Sequence, residues 1–267
     1  MPAPSSSLDG WVRAPFTGAG LTYDCYEKGE GPGVVLIPEL PGITPEVLGL
    51  ADHLVASGFT VVVPSPFGEP GRPGSTGYTL RSVSRVCVSS EFRAFAVDAQ
   101  RPITAYLRAV AAGLSTRTPG SGVGVIGMCF TGGFALAVAV DDAVLAAVAS
   151  QPSTPFPISR ARRVDPGMSS AEFDRLAERA DAGEVCAMGL RFSEDRAAPR
   201  ERFATLKSRL GDAFDVIELD SSSGNPDGFS AGAHSVLTNE VREGNSAFAA
   251  RERVVAFLRR RLAESAA

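Results

Sequence analysis

Short apolar runs alternate along this chain with segments of helical spacing. Continuous apolar runs of five to eight residues predict strands that are buried on both faces, as in a parallel sheet covered by helices. The predicted strands are LTYDCYEKG at 21–29, GVVLIP at 33–38, FTVVVPSP at 59–66, GVGVIGM at 122–128, VLAAVAS at 144–150, EVCAMGLRF at 184–192 and FDVIEL at 214–219.

Helix signals stand between these strands. Thr44 is a candidate N-cap followed by Pro45, and Ser169 with Glu172 fits a capping box. Further helices are predicted over about 91–112, from Thr131 onward, around Arg202 and over about 246–262. We interpret residues 1–19 as a loosely ordered N-terminal extension. We interpret residues 65–90 as a long loop and residues 151–168 as an irregular segment. The alternation predicts one α/β domain over 1–267, with a mostly parallel, doubly wound sheet.

A glycine-rich turn at 122–133 has two functional interpretations. GVGVIG at 122–127 matches the dinucleotide fingerprint, but its first glycines open the predicted strand, whereas the fingerprint needs them after the strand. GMCFTGG at 127–133 instead matches a nucleophile elbow centred on Cys129, where a strand turns sharply into a helix. A helix start favours a thiolate. The plain alternative is that Cys129 is a small core residue.

Downstream residues favour the elbow, since a nucleophile needs a base and an orienting acid on later loops. His234 lies in the glycine- and serine-rich segment GFSAGAHSV. Glu194 and Asp195 follow the strand at 184–192, and strand alternation does not decide which of the two faces His234.

Together, Cys129, Asp195 and His234 resemble the dienelactone hydrolase family, a branch of the α/β hydrolases. The resemblance extends over roughly residues 20–262 and rests on GMCFTGG, on Asp195 with Pro199, on AGAHS, and on Glu39 after the first buried strand. It implies an α/β-hydrolase fold and acyl transfer through a Cys-His-Asp triad.

The resemblance also implies roles for the surrounding groups. Glu39 would contact the thiol in the resting enzyme and take its proton when substrate arrives. The backbone amides of Leu40 and Phe130 would form the oxyanion hole. His234 would activate the deacylating water, and Asp195 would fix the tautomer of His234.

One position departs from the family pattern. Members that bind a lactone carboxylate have an arginine four residues after the catalytic histidine, where this chain has Thr238. Arg81, Arg85 and Arg93 remain as candidates for binding a substrate carboxylate, although each is equally well explained as a solvated surface residue. We therefore expect this protein to prefer uncharged lactones or short aryl esters.

The amino-acid composition limits the classes of partner and cofactor that we expect. The net charge of −4 gives no basic field for nucleic acid or an anionic membrane. Four dispersed cysteines and two histidines offer no zinc-binding spacing, so we expect no metal or other cofactor. The first residues lack the apolar core of a signal peptide, and no apolar run approaches the length of a membrane span.

We therefore expect a cytoplasmic hydrolase of a small ester, lactone or thioester, either a monomer or a homodimer. Two alternatives remain open: an acyltransferase or cyclase with the same triad, and a catalytically silent member of the fold that binds a small molecule.

Overall fold

The computed structural model describes residues 2–263, apart from the side chain of Cys87. Eight strands form one sheet: β1 Val12–Gly18, β2 Leu21–Lys28, β3 Gly33–Ile37, β4 Thr60–Pro64, β5 Val123–Met128, β6 Val144–Ser150, β7 Cys186–Phe192 and β8 Phe214–Leu219. The helices are α1 Pro45–Ala56, α2 Thr76–Val88, α3 Pro102–Ser115, α4 Gly132–Val138, α5 Arg160–Val164, α6 Ser170–Asp181, α7 Arg200–Leu210 and α8 Ser246–Ala263.

The sheet has the strand order β1-β2-β4-β3-β5-β6-β7-β8. The two pairs at one edge, β1 with β2 and β2 with β4, are antiparallel. The remaining pairs are parallel, as the continuous apolar runs predicted. The chain therefore has the predicted mostly parallel sheet flanked by helices.

Two hydrophobic cores cover the two faces of this sheet, and β3 contributes to both. Val35 and Ile37 pack into the core formed with α3, α4, α6 and α7, whereas Val34 and Leu36 pack into the core formed with α1 and α8. Successive side chains of a strand point to opposite faces, so a strand buried on both sides must be apolar at every position.

The structure differs from the sequence expectations in three segments, at 12–18, 65–90 and 91–112. Residues 12–18, assigned to a loosely ordered extension, form β1, which pairs with β2 along its whole length. The expected loop at 65–90 contains α2, and the expected helix at 91–112 is replaced by an irregular segment followed by α3. Ser75 caps α2 by accepting a hydrogen bond from the amide of Tyr78, and Pro102 stands at the start of α3, so both helices have local start signals.

The carboxyl ends of the central parallel strands meet at one edge of the sheet. In the register of β3, β5 and β6, Ile37 pairs with Gly127, and Met128 pairs with Ser150. Residues just beyond these strand ends are therefore neighbours in space, which is where α/β sheets commonly bind ligands.

Candidate active site

Cys129 lies at a sharp turn between β5 and α4. Its φ is +53°, in the left-handed region that a residue with a Cβ adopts only at a cost of about 1–3 kcal/mol. A Cβ on Gly127 would lie 2.3 Å from the carbonyl oxygen of Thr131, and one on Gly132 would lie 2.6 Å from Cα of Pro152. The glycines of GMCFTGG are therefore needed for the close approach of strand, helix and neighbouring loop.

Thr131 fixes the turn from inside. Its fully buried hydroxyl accepts a hydrogen bond from the amide of Met128 and lies within hydrogen-bond distance of the Met128, Ile37 and Pro38 carbonyl oxygens. These contacts tie the elbow to the end of β3. Buried hydroxyls with partners on both strands hold the two strand ends in one geometry.

A cavity of about 750 Å³ opens above Cys129. Mostly apolar residues and hydroxyl-bearing residues line it, together with His234 and the carboxylate side chains of Glu39 and Glu46. No lysine or arginine contributes to this lining in the described part of the chain. The cavity is the size of an ordinary small-molecule site.

His234 and Asp195 form a pair beside the thiol. His234 Nδ1 lies 2.7 Å from Asp195 Oδ2. The other carboxylate oxygen, Oδ1, accepts hydrogen bonds from the amides of Ala197 and Ala198, at 2.9 and 3.3 Å. Glu194, the alternative acid, has an exposed side chain and takes no part in this arrangement. The geometry thus brings Asp195, and not its neighbour, to the imidazole.

The electrostatics of the site favour a charged imidazole. Burial lowers the pKa of His234, but its interactions with Cys129 and with the Asp195 carboxylate together outweigh burial and raise the pKa to about 11. Since Nδ1 is hydrogen-bonded to Asp195, Nε2 is the ring nitrogen that is left to interact with Cys129 Sγ. A thiolate beside an imidazolium is the arrangement that activates a cysteine nucleophile.

Ser153 is a site residue that the sequence analysis missed. Its hydroxyl donates to Cys129 Sγ at 3.4 Å, and its amide donates to the carbonyl oxygen of Cys129 at 2.9 Å. It stands in the segment 151–168, which was interpreted only as irregular. The position beyond the end of β6, next to the elbow in the sheet register, is the one signal that points to it.

Glu39 is held in a different way from the one the resemblance implied. Its side chain is only 4% exposed and accepts hydrogen bonds from Gln151 Nε2 at 3.2 Å, from Ser235 Oγ at 2.9 Å and from Thr238 Oγ1. Among the residues described, three donors bind this carboxylate, and no hydrogen bond joins it to Cys129. Burial raises the pKa of Glu39, and the three donors and the nearby His234 act in the opposite direction.

Leu40 and Phe130, the expected oxyanion-hole residues, both line the cavity next to Cys129. Phe130 follows Cys129 at the start of the helical turn, and Leu40 follows Glu39 after β3. An amide in each of these two places is the arrangement that an elbow nucleophile uses to bind a developing negative charge.

The family model for the dienelactone hydrolase family matches residues 20–260. This chain belongs to the dienelactone hydrolase family. No match was found among the curated proteins.

Solved structures of other α/β hydrolases share the fold at low sequence identity. A candidate dienelactone hydrolase from Klebsiella pneumoniae subsp. pneumoniae MGH 78578 has a TM-score of 0.60 at 18% identity, covering 94% of this chain and 99% of that chain. The dienelactone hydrolase-like promiscuous phosphotriesterase P91 from metagenomic libraries has a TM-score of 0.63 at 16% identity, covering 93% of this chain and 98% of that chain. The α/β hydrolase GrgF from Penicillium sp. sh18 has a TM-score of 0.60 at 15% identity, covering 95% of this chain and 99% of that chain. At these identities the likeness supports the α/β-hydrolase fold alone.

The arginines considered for carboxylate binding do not lie in the cavity of this dienelactone hydrolase family member. Arg81 and Arg85 line a separate pocket behind α2, and Arg93 lies at a third site, where it donates to the carbonyl oxygen of Gln100. Thr238 is buried, and its hydroxyl is directed at Glu39 instead of at bound substrate. None of these four positions supplies a carboxylate-binding group next to Cys129.

A buried arginine supports the loop that carries Ser153. Arg202 of α7 is 0% exposed and donates to the carbonyl oxygens of Asp165, Pro152, Pro155 and Arg162, at 2.6, 2.5, 2.7 and 2.8 Å. Burial lowers its pKa to about 10. One guanidinium therefore fixes the segment 152–165 through four backbone carbonyl oxygens, because its planar fork presents five donors.

The described residues contain neither a metal-binding cluster nor a membrane-spanning helix. Within the described residues, no group of three or more His, Cys, Asp or Glu side chains is arranged to hold a metal ion. Across residues 2–263, no helix combines the length and the apolarity that crossing a bilayer requires.

Proposed function

We propose that this member of the dienelactone hydrolase family hydrolyses a small uncharged ester, lactone or thioester, with Cys129 as the nucleophile. The observation that carries the proposal is the strained backbone of Cys129 at the elbow, beside the His234–Asp195 pair. A residue with a Cβ is held at positive φ where a function requires the geometry.

The first half of the reaction forms an acyl-enzyme. The Cys129 thiolate attacks the carbonyl carbon, and the amides of Leu40 and Phe130 bind the oxygen that becomes negatively charged. The carbonyl then re-forms, the bond to the leaving group breaks, and His234 gives its Nε2 proton to the departing alkoxide or thiolate. An ester releases an alcohol and a thioester releases a thiol, whereas the new hydroxyl of an opened lactone stays on the acyl group. A thioester bond then joins the acyl group to Sγ.

The second half consumes water. Neutral His234 takes a proton from a water molecule, the resulting hydroxide attacks the thioester carbonyl, and the thiolate leaves. The carboxylic acid departs, and the thiolate–imidazolium pair is restored. Asp195 holds the imidazole orientation throughout, and Ser153 donates to the thiolate between turnovers.

Glu39 supports this cycle by its charge and its contacts. The carboxylate stabilises the His234 imidazolium through space and anchors Ser235 and Thr238, which follow His234 on the same loop. In this proposal the thiol proton rests on His234, and Glu39 does not have to accept it.

The lining of the cavity supports an uncharged substrate. Its carboxylate side chains are Glu39 and Glu46, and no arginine balances them. A substrate carboxylate would lose the charge-assisted hydrogen bonds that an arginine supplies, which corresponds to about 10- to 150-fold in affinity.

A substrate panel tests the proposal. Matched esters, lactones and thioesters, each uncharged or bearing a carboxylate, are assayed with the wild-type protein and with Cys129→Ala. We expect the wild type to hydrolyse the uncharged members at least about 10-fold better in kcat/KM, and Cys129→Ala to hydrolyse none. Equal or better turnover of the carboxylated members would contradict the proposed preference, and undiminished hydrolysis by Cys129→Ala would contradict the proposed nucleophile.

A further inference from the structure

Helix α2 presents one face to the cavity above Cys129. Thr76, Thr79, Leu80 and Val83 line this cavity, and their spacing of i, i+3, i+4 and i+7 places them on a single face of the helix. We call these four residues the α2 stripe. A helix that covers the cavity with a defined face is a wall of the site and not merely a connection near it.

The helix is fixed by its opposite face. Tyr78, Ser82 and Val86 are buried, and the hydroxyl of Tyr78 accepts a hydrogen bond from the amide of Glu69. The guanidinium carbon of Arg72 lies 4.3 Å from the centre of the Tyr78 ring. These contacts hold α2 against the body of the protein, so the α2 stripe has a fixed position over the nucleophile.

The apolar part of the α2 stripe is incompletely covered in the structure, because Leu80 is exposed and Val83 is half-buried. Leu80 is 69% exposed, although it lines a cavity whose other walls include Pro41, Phe130 and Phe156. A large aliphatic side chain at the mouth of an otherwise apolar cavity is the contact that an apolar ligand group would bury. The two threonines of the stripe are uncharged, so no ionic group opposes such a ligand.

We propose that α2 binds an apolar part of the substrate, with Leu80 and Val83 as the residues that set the preference for a longer aliphatic or aryl group. This inference rests on the proposed hydrolysis through Cys129 and names the substrate class of that site. The substrate is an uncharged ester or lactone with an apolar group of several carbon atoms, which lies between the α2 stripe and the wall formed by Phe130 and Phe156.

The size of the effect follows from the area that Leu80 and Val83 can cover. Complete burial of one methylene changes an equilibrium constant by about fourfold. Hexanoate has four more methylenes than acetate. If α2 covers about half of their surface, its contribution is roughly that of two fully buried methylenes, or about 15-fold in kcat/KM.

Chain-length series test the inference. Rates are measured for p-nitrophenyl esters from acetate to octanoate, which vary the acyl group, and for alkyl acetates, which vary the alcohol. The variants are Leu80→Gln, the double variant Leu80→Gln/Val83→Thr, and Val88→Gln as the matched control. Val88 is also an exposed aliphatic residue of α2, at 86%, but does not line the cavity.

We expect kcat/KM of the wild type to rise with chain length in at least one series. In the double variant, the ratio of kcat/KM for the six-carbon substrate to kcat/KM for the two-carbon substrate should fall by about 15-fold. Val88→Gln should retain the wild-type ratio. A flat wild-type profile in both series, or a double variant that matches Val88→Gln, would overturn the inference while leaving hydrolysis through Cys129 intact. Failure of the wild type to cleave the short esters would instead contradict the proposed function.

Discussion

Replacement of Asp195 by asparagine tests the arrangement around His234 with little change in shape. The asparagine oxygen can keep the hydrogen bonds from the amides of Ala197 and Ala198, so the loop should stay folded. The amide nitrogen then faces His234 Nδ1, where two donors would meet across the 2.7 Å contact. His234 is forced into the tautomer that carries its proton on Nε2, and it can no longer be held as an imidazolium by the neighbouring carboxylate.

The expected loss is large because two effects combine. The charge-assisted hydrogen bond to Asp195 contributes about 1.5–3 kcal/mol, and the wrong tautomer adds to this. Removal of an orienting acid lowers turnover by about 10⁴-fold in serine hydrolases, and we expect a loss of roughly 10³- to 10⁴-fold here. The pKa of His234 should fall from about 11, because Asp195 is one of the groups that raise it. Acylation requires the imidazolium as acid, so activity disappears as pH rises through this pKa, and the basic limb should move to lower pH.

The assay is the pH dependence of kcat/KM for an uncharged aryl ester, with thermal unfolding as the control for folding. Glu194→Gln is the matched variant, since Glu194 is exposed and adjacent, and its kcat/KM should stay within about twofold of the wild type. Wild-type kcat/KM and a wild-type basic limb in Asp195→Asn would refute this arrangement of His234. A large loss of kcat/KM in Glu194→Gln would refute it as well.

Two further predictions concern groups around His234 and Cys129. Glu39→Gln removes the negative charge that supports the His234 imidazolium, so kcat should fall by about 10-fold, KM should change less, and the basic limb of the pH profile should move to lower pH. Glu46→Gln, in the same cavity, is the control, and a wild-type pH profile for Glu39→Gln would contradict this role. Arg202→Met leaves four buried carbonyl oxygens without their donor and should destabilise the protein by about 3–5 kcal/mol in chemical unfolding, whereas Arg200→Met, at an exposed position of the same helix, should cost less than about 1 kcal/mol. An unfolding free energy for Arg202→Met equal to that of Arg200→Met would show that water or other donors replace the guanidinium.

Much of the sheet was predictable from the sequence because its physical requirement is local. A central parallel strand must be largely apolar on both faces, and β3, β5 and β6 meet this condition up to Ser150, the last residue of β6. The sharp turn at Cys129 was predictable for a similar reason, since Gly127 and Gly132 stand where close backbone contacts leave no room for a larger residue. The position of Asp195 and His234 on later loops then followed from the order of the parallel strands.

Helix α2 was missed because its stability is not local. Gly77 and three serines give the segment 75–84 the composition of a loop, and the helix persists because Tyr78, Ser82 and Val86 pack against the body. Strand β1 was missed because its residues are mostly exposed, and pairing with β2 provides the reason for its extended form.

Ser153 and Thr238 show a second limit of sequence reasoning. Both were within segments that the sequence analysis considered, but their roles depend on which distant atom they reach: Cys129 Sγ for Ser153 and Glu39 Oε1 for Thr238. The sequence shows only that Thr238 stands where other family members have a carboxylate-binding arginine. In the structure, the Thr238 hydroxyl instead donates a hydrogen bond to Glu39. A contact between residues far apart in sequence leaves no periodic signal in either segment.

The central claim is that acyl transfer passes through Cys129, and intact-protein mass spectrometry tests it most directly. The protein is mixed with an excess of an uncharged p-nitrophenyl ester, quenched in acid within the first turnovers, and mapped by peptide digestion. The account predicts a mass increase equal to one acyl group on the peptide containing Cys129, a matching burst of p-nitrophenol, and neither signal in Cys129→Ala. Hydrolysis at an undiminished rate in Cys129→Ala, with no acyl group on that peptide in the wild type, would contradict the account.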